Sequence, residues 1–322
     1  MATIIMRNKK KLLILGATGF IGSNLINKYL ESKKYKIYAV FNKRNPQIKH
    51  KNIKWIKANL INFNTLLKIT KGIDTIIQSA ATTTGSKDVI NKPYIHVTDN
   101  VVMNAYLFRA AHINSVKHLI FLSCTTMYKS SKKKQIEVDF FNPKNFIPQY
   151  FASASTKTFN EQMCKFYSSL NKTKFTVIRH SNIYGPFDKF DLDKSHFMGA
   201  TITKVLKAKN IVEVWGNGQE GRDFLYIDDL TNFILKVVNI QKQKFQIYNC
   251  GSGKLYKIND IVKKIVKFSN KKLKIIHNKS KPSIPINIVI DSKKAQKDFN
   301  WKPRVSIEVG IKNTIAWWKK NY

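Results

Sequence analysis

From Lys11 onward, short apolar runs alternate with longer stretches whose apolar residues recur every three to four positions. The runs 11–15, 36–41, 53–56, 75–78, 118–123 and 175–179 have the length and side-chain content of buried strands. The stretches 20–32, 64–71, 94–112 and 149–170 carry the spacing of amphipathic helices. Parallel strands need a crossover connection, and a helix supplies it, so the alternation implies βαβ units. The pattern predicts an α/β fold with a doubly wound, Rossmann-type parallel sheet.

After Arg179 the pattern becomes irregular and richer in glycine and proline. It still predicts a helix over 228–238 and a strand over 245–249 that rejoins the sheet. A helix over 258–268, a short strand over 272–276 and a last helix near 307–318 follow. The expected organisation is a dinucleotide-binding domain over 1–182, with 227–250 rejoining it. A smaller interleaved lobe, 183–226 and 251–322, is expected to close over the C-terminal edge of the sheet, where such folds bind ligands.

The segment KLLILGATGFIGSNLINKYL places Gly16, Gly19 and Gly22 between an apolar strand and an amphipathic helix. The first glycine permits the tight turn, the second a close backbone approach to a pyrophosphate, and the third close helix–strand packing. Dinucleotide binding is the expectation. The second strand ends in YAVFNKRNP, without the acidic residue that would accept from a ribose 2′-hydroxyl and repel a 2′-phosphate. Lys43 or Arg44 there suits a phosphate, so NADP is expected over NAD.

Composition narrows the picture. No run of about 18 apolar residues occurs, which disfavours a spanning helix. The N-terminal basic residues precede only a short apolar run, which reads as an extension of a cytoplasmic protein. Cys124, Cys164 and Cys250 have neither metal-site nor disulfide spacing, so no metal is expected. The net charge of +38 raises a nucleic-acid reading. The lysines are spread along the whole chain, however, which favours solvated surface charge and a field that attracts anionic small molecules.

Together these segments resemble the extended short-chain dehydrogenase/reductase family of nucleotide-sugar enzymes, over nearly the whole chain. GATGFIG is similar to its glycine motif, KANL (57–60) to its adenine-side segment and QSAA (78–81) to its strand-four motif. RHSNIYGP (179–186), GRDFLYIDD (221–229), YNCGSG (248–253) and FNWKPRVSIEVGI (299–311) continue the resemblance. It implies cofactor contacts at Gly16, Thr18, Gly19, Phe20, Ile21, Gly22, Asn42, Arg44, Asn59, Leu60, Ala80, Ala81, Lys157 and His180. Asn182 and Arg222 are implied on the substrate side, and Asn100 as support for the active-site helix. A homodimer through the two long helices is also implied.

Within the family, the segment from GPFDKF to FLYIDDL resembles the GDP-L-fucose synthase group, NADPH-dependent epimerase–reductases of a GDP-4-keto-6-deoxy sugar. In that group a Ser, a Tyr and a Lys carry reduction, and a Cys–His pair carries epimerisation. Lys157 falls on the family lysine, with Glu161 and Tyr167 in register. Cys124 falls on the catalytic Ser or Thr, Thr126 on the epimerising Cys, and His196 on the histidine. Thr125 or Thr126 is a hydrogen-bonding candidate for a sugar keto oxygen.

The tyrosine is absent: Ser153 stands four residues before Lys157, and a serine hydroxyl is far too weak an acid to replace a phenol. Tyr150, on one helical face with 153 and 157, and Tyr128, after strand five, are the displaced candidates. Three readings stay open: an NADP-dependent reductase or epimerase–reductase, an NAD-dependent epimerase or dehydratase, and a cofactor-binding protein with little turnover.

Overall fold

The computed structural model describes residues 9–83, 90–139, 146–170, 172–281 and 283–322; the N-terminal extension, 1–8, lies outside them. The strands in the first part are β1 (Lys10–Leu15), β2 (Tyr35–Phe41), β3 (Ile53–Lys57), β4 (Thr75–Gln78), β5 (His118–Ser123) and β6 (Lys174–His180). Short strands follow: β7 (Asn182–Tyr184), β8 (Ile211–Trp215), β9 (Gly221–Arg222) and β10 (Phe224–Tyr226). The last are β11 (Phe245–Cys250), β12 (Tyr256–Lys257), β13 (Lys274–Asn278) and β14 (Asn287–Ile288).

One seven-stranded sheet runs β3-β2-β1-β4-β5-β6-β11, with every pairing parallel. The order reverses between β1 and β4, the crevice where ligands bind in such sheets. The helices are α1 (Phe20–Ser32), α2 (Phe63–Thr70), α3 (Thr98–Ile113), α4 (Phe151–Ser169), α5 (Phe197–Lys207), α6 (Ile227–Ile240), α7 (Ile258–Ser269), α8 (Lys293–Phe299) and α9 (Ile307–Asn321). Both faces of the sheet are covered because its apolar residues alternate sides. Leu13, Leu15, Phe121 and Val177 pack with Leu66 of α2, Leu107 and Phe108 of α3 and Cys164 of α4. Leu12, Ile14, Ile120 and Ile178 pack with Leu25 and Ile26 of α1 and Phe233 and Ile234 of α6. Each such side chain, once buried, contributes roughly 1.5–3 kcal/mol.

Two boundaries matter for the site. The expected helix from 149 begins as a 3-10 turn, Pro148–Tyr150, and α4 starts only at Phe151. The irregular region after Arg179 contains α5 and the strand β8, which pairs parallel with β13. Buried Asp223 then ties this region to the loop after β11 by accepting from Ser252 N (2.8 Å), Ser252 Oγ (2.7 Å) and Gly253 N (3.0 Å).

Candidate active site

The strands end together at Leu15, Phe41, Gln78, Ser123 and His180, so the loops that follow share one edge. Gly16 takes φ +73°, and a Cβ there would stand 2.7 Å from Ala80 Cα, inside any tolerable contact. Gly19 precedes α1 with its N–H bonded to Gly16 O (2.9 Å). No side chain caps α1 and its first turn carries no acidic residue, so its free N–H groups and dipole face the loop. This backbone cradle fits a pyrophosphate, and with it a dinucleotide. Thr18, Phe20 and Ile21 lie on its rim, partly exposed, and Gly22 is buried.

The opposite wall is equally fixed. Ser79 donates to Leu15 O (2.5 Å), and Gln78 Oε1 accepts from Ala80 N (3.1 Å). Asn100 pairs in both directions with the Thr82 backbone, at 2.9 and 3.0 Å. The loop carrying Ala80 and Ala81 is thereby held along the crevice.

Asn42 and Arg44 are exposed beyond β2, and Arg44 reaches Thr18 O at 3.5 Å. A cavity of about 130 Å³ opens there, with Thr18, Arg44, Trp55, Asp188 and Trp317 among its lining residues. Burial pushes the Asp188 carboxyl up to about 7, against the bond from Lys189 N. Asn59 is exposed and accepts from Ile61 N (3.3 Å), while Leu60 is buried beside it.

At the other end of the crevice, the Lys157 ammonium donates to Leu122 O (2.8 Å) and lies 4.9 Å from the centre of the Phe121 ring. Burial lowers its pKa, and neighbouring Cys124, Glu161 and Cys164 oppose that shift. His180 receives the field of both Lys157 and His196; burial first, then these neighbours, bring it down to about 4, against the contact with Ser181 O. Lys157, His180 and His196 therefore share an electrostatic neighbourhood, although they come from α4, β6 and the start of α5. His196 itself is exposed at the N-terminus of α5.

Cys124 is partly exposed, with its Sγ 3.1 Å from Thr126 Oγ1. Thr125 is buried, and its carbonyl accepts from Tyr128 N (3.1 Å). Ser153 donates to Tyr150 O at 3.1 Å, so its hydroxyl is turned to the backbone. Tyr128 is fully buried, accepting from Arg179 Nη1 (3.0 Å) and donating to Asn249 Oδ1 (2.7 Å). Burial pushes its phenol up to about 12. The Tyr150 phenol instead lies within reach of Arg222 and in the field of Cys124, and its ring packs on Ile147, Ile284, Ile286 and Ile288.

Arg222 is largely satisfied within the protein: it donates to Ile284 O (2.7 Å), Ile286 O and Gly221 O (3.1 Å). Asn182 donates to Asp223 O (3.0 Å) at an exposed position. Two supports were not legible as such in the sequence. Glu161 and Arg179 form a buried ion pair at 2.6 Å, with Ser123 Oγ on the same carboxylate (2.6 Å). Lys189 bridges to Thr83 O (2.8 Å) and Asn24 to Pro186 O (2.9 Å), strapping the lobe across the start of α1. Glu161 falls in register with Lys157, which is a signal for its place but not for its partner.

An uncapped glycine cradle at the switch point of a doubly wound sheet, with a lysine at the end of the crevice, defines a dinucleotide-binding enzyme fold. The NAD dependent epimerase/dehydratase family pattern matches residues 12–251, and the chain belongs to that family, an enzyme group of the extended short-chain dehydrogenase type. GDP-L-colitose synthase of Yersinia pseudotuberculosis is 28% identical over 313 residues, covering 95% of this chain and 97% of that protein. GDP-mannose 3,5-epimerase 1 of Oryza sativa subsp. japonica is 25% identical over 316 residues, covering 97% and 82%. The crystal structure of UDP-glucuronic acid 4-epimerase from Bacillus cereus, in complex with UDP-glucuronic acid and NAD, matches with a TM-score of 0.85. It is 23% identical and covers 97% of this chain and 100% of that one.

Proposed function

We propose that the protein is an NADP-dependent nucleotide-sugar oxidoreductase, a reductase or epimerase–reductase acting on a GDP-4-keto-6-deoxy sugar. The observation that carries this reading is the pairing of the Gly16 cradle with Lys157, His180 and His196 at the far end of the same crevice. The first suits a pyrophosphate, and the second suits acid–base work on a carbonyl sugar. The GDP-sugar relatives support the choice of nucleotide.

When bound, the nicotinamide supplies or accepts a hydride. In this reading Gly16, Thr18, Gly19, Phe20, Ile21 and Gly22 hold the pyrophosphate, and Asn59, Leu60, Ala80 and Ala81 flank the adenosine. Asn42 and Arg44 take the ribose and its 2′-phosphate; the cavity beside Arg44 supports NADP, because no acidic residue ends β2. Lys157 leaves Leu122 O to hold the nicotinamide ribose, with His180 neutral beside it. Cys124, Thr125 and Thr126 bracket the sugar oxygen, and His196 moves a proton at a carbon next to it. Asn182 and Arg222 border the substrate. The assignment of 1–182 with 227–250 to the cofactor, and of 183–226 with 251–322 to the substrate, belongs to the same reading. So do a cytoplasmic location, supported by three free cysteines, and a homodimer, supported by exposed Phe159 and Phe166 on α4 and Ile113 on α3.

Purified protein mixed with NADPH and GDP-4-keto-6-deoxymannose tests the proposal through the absorbance of the reduced nicotinamide. Rapid, substrate-dependent loss is expected. Tight NADPH binding without loss contradicts it and favours the low-turnover reading, which Ser153 motivates. The NAD-dependent epimerase or dehydratase reading rests on the relatives of that activity. It predicts conversion of a nucleotide sugar with no net change in absorbance.

A further inference from the structure

We propose that Tyr150 and Arg222 form the proton-donating couple of this site: Tyr150 delivers a proton to the substrate oxygen, and Arg222 is the positioning residue that aims its phenol. The inference deepens the reductase reading and rests on it for the identity of the substrate.

The residue four positions before Lys157 cannot fill the role. Ser153 spends its hydroxyl on Tyr150 O, and a serine hydroxyl is a poor acid in any case. Tyr128 is enclosed between Arg179 and Asn249. Tyr150 reaches the site because the chain enters α4 through the 3-10 turn Pro148–Tyr150, which takes it out of the α-helical register of Ser153 and Lys157. Its ring packs on Ile284 and Ile286, whose carbonyls hold the Arg222 guanidinium, and its phenol lies within reach of Arg222 and in the electrostatic field of Cys124. Cys124, just after β5, acts electrostatically on Lys157 as well, so phenol and ammonium share its field. A carbonyl oxygen placed beside Cys124 and Thr126 is therefore next to the phenol.

Arg222 is well built to aim that phenol. Its guanidinium is fixed by the carbonyls of Ile284, Ile286 and Gly221, and it does not deprotonate at any working pH. The same 284–288 segment supplies the isoleucines under the Tyr150 ring. It is anchored to the loop after β5 through Ser131 N to Asn287 O (2.7 Å) and Asn287 N to Ser130 Oγ (3.0 Å). Donor, aiming cation and the strand-five loop are thus one connected unit.

In the reaction, the hydride and its electron pair pass from a reduced nicotinamide to the carbonyl carbon, and the carbonyl π pair moves onto oxygen. The Tyr150 O–H bond breaks and a new O–H bond forms on the sugar. The phenolate left behind faces Arg222 and regains a proton from water. A phenol is a stronger acid than a sugar alcohol, so the transfer runs downhill. The charged and titratable groups facing the phenol are Arg222, from β9, and Cys124. Burial raises the phenol's pKa and Cys124 adds to this, while Arg222 works against it. Tyr150 is therefore protonated at neutral pH, the state needed to reduce a ketone.

The test combines steady-state reduction of the keto sugar with ultraviolet titration of the phenol in the full-length protein. Tyr150→Phe is expected to lower kcat roughly 10²- to 10⁴-fold with KM and cofactor binding little changed. Arg222→Met is expected to move both the alkaline limb of kcat and the Tyr150 titration to higher pH, and Arg222→Lys to restore both in part. Wild-type kcat in Tyr150→Phe overturns the proposal. So does an Arg222→Met protein whose Tyr150 titration does not move, even if wild type proves silent toward the keto sugar. Silence of wild type with a shifted titration counts against the substrate assignment alone and upholds the Tyr150–Arg222 coupling.

Discussion

At Gly16 one hydrogen atom decides whether the loop after β1 can close. Its φ of +73° lies where L side chains are strained, and Ala80 leaves no room for a methyl group. Gly16→Ala is expected to abolish dinucleotide binding by calorimetry, because either the loop or the Ala80 wall must move. Arg44 offers a finer test. Arg44→Ala is expected to weaken NADP roughly 10- to 100-fold, the worth of a charge-assisted bond, and to leave NAD uptake unchanged. His118 gives a pH signature remote from the site. It is buried on Thr176 Oγ1 (2.8 Å), and burial, then Lys174, holds its pKa down at about 3. The folded state keeps His118 neutral while the unfolded chain binds a proton below about 6.5. Stability contributed by this site is therefore lost as pH falls from about 6.5 toward 3, at about 1.4 kcal/mol per pH unit. In His118→Gln that portion of the acid dependence, read by urea titration, should vanish.

Among the elements, α4 carries Ser153 and Lys157 and shows how far the sequence reached. Its apolar spacing, the place of Lys157 and the register of Glu161 are all readable from residues 149–170. What spacing does not encode is that residues 148–150 wind as a 3-10 turn, which alters where Tyr150 points while leaving the pattern intact. Nor does periodicity reveal α5, whose buried Met198, Ile202 and Val205 are interleaved with threonines, or the pairing of β8 with β13 about 60 residues away. The buried Arg179–Glu161 pair depends on α4 and β6 meeting in space. Arg179→Met leaves Glu161 charged, buried and short of its partner. It should cost about 3–5 kcal/mol of unfolding free energy, read by chemical denaturation.

For the molecule as a whole, the strand–helix alternation and the glycine loop were enough to predict the parallel sheet. The region after Arg179 was legible only in part, since its order comes from long-range ties such as Asp223 to Ser252 and Arg222 to Ile284. The apolar stripe of Phe159, Phe166 and Ile113 lies on adjacent α3 and α4 and is exposed in the single chain. Phe159→Glu combined with Phe166→Glu should convert the proposed homodimer to a monomer in sedimentation, with the fold retained. Every functional step argued above requires a nicotinamide dinucleotide in the Gly16 cradle with its ribose at Lys157. Isothermal titration of the folded protein with NADP and with NAD measures this directly. The account predicts saturable, one-to-one uptake, tighter for NADP and weakened by Lys157→Met; no uptake of either dinucleotide would contradict it.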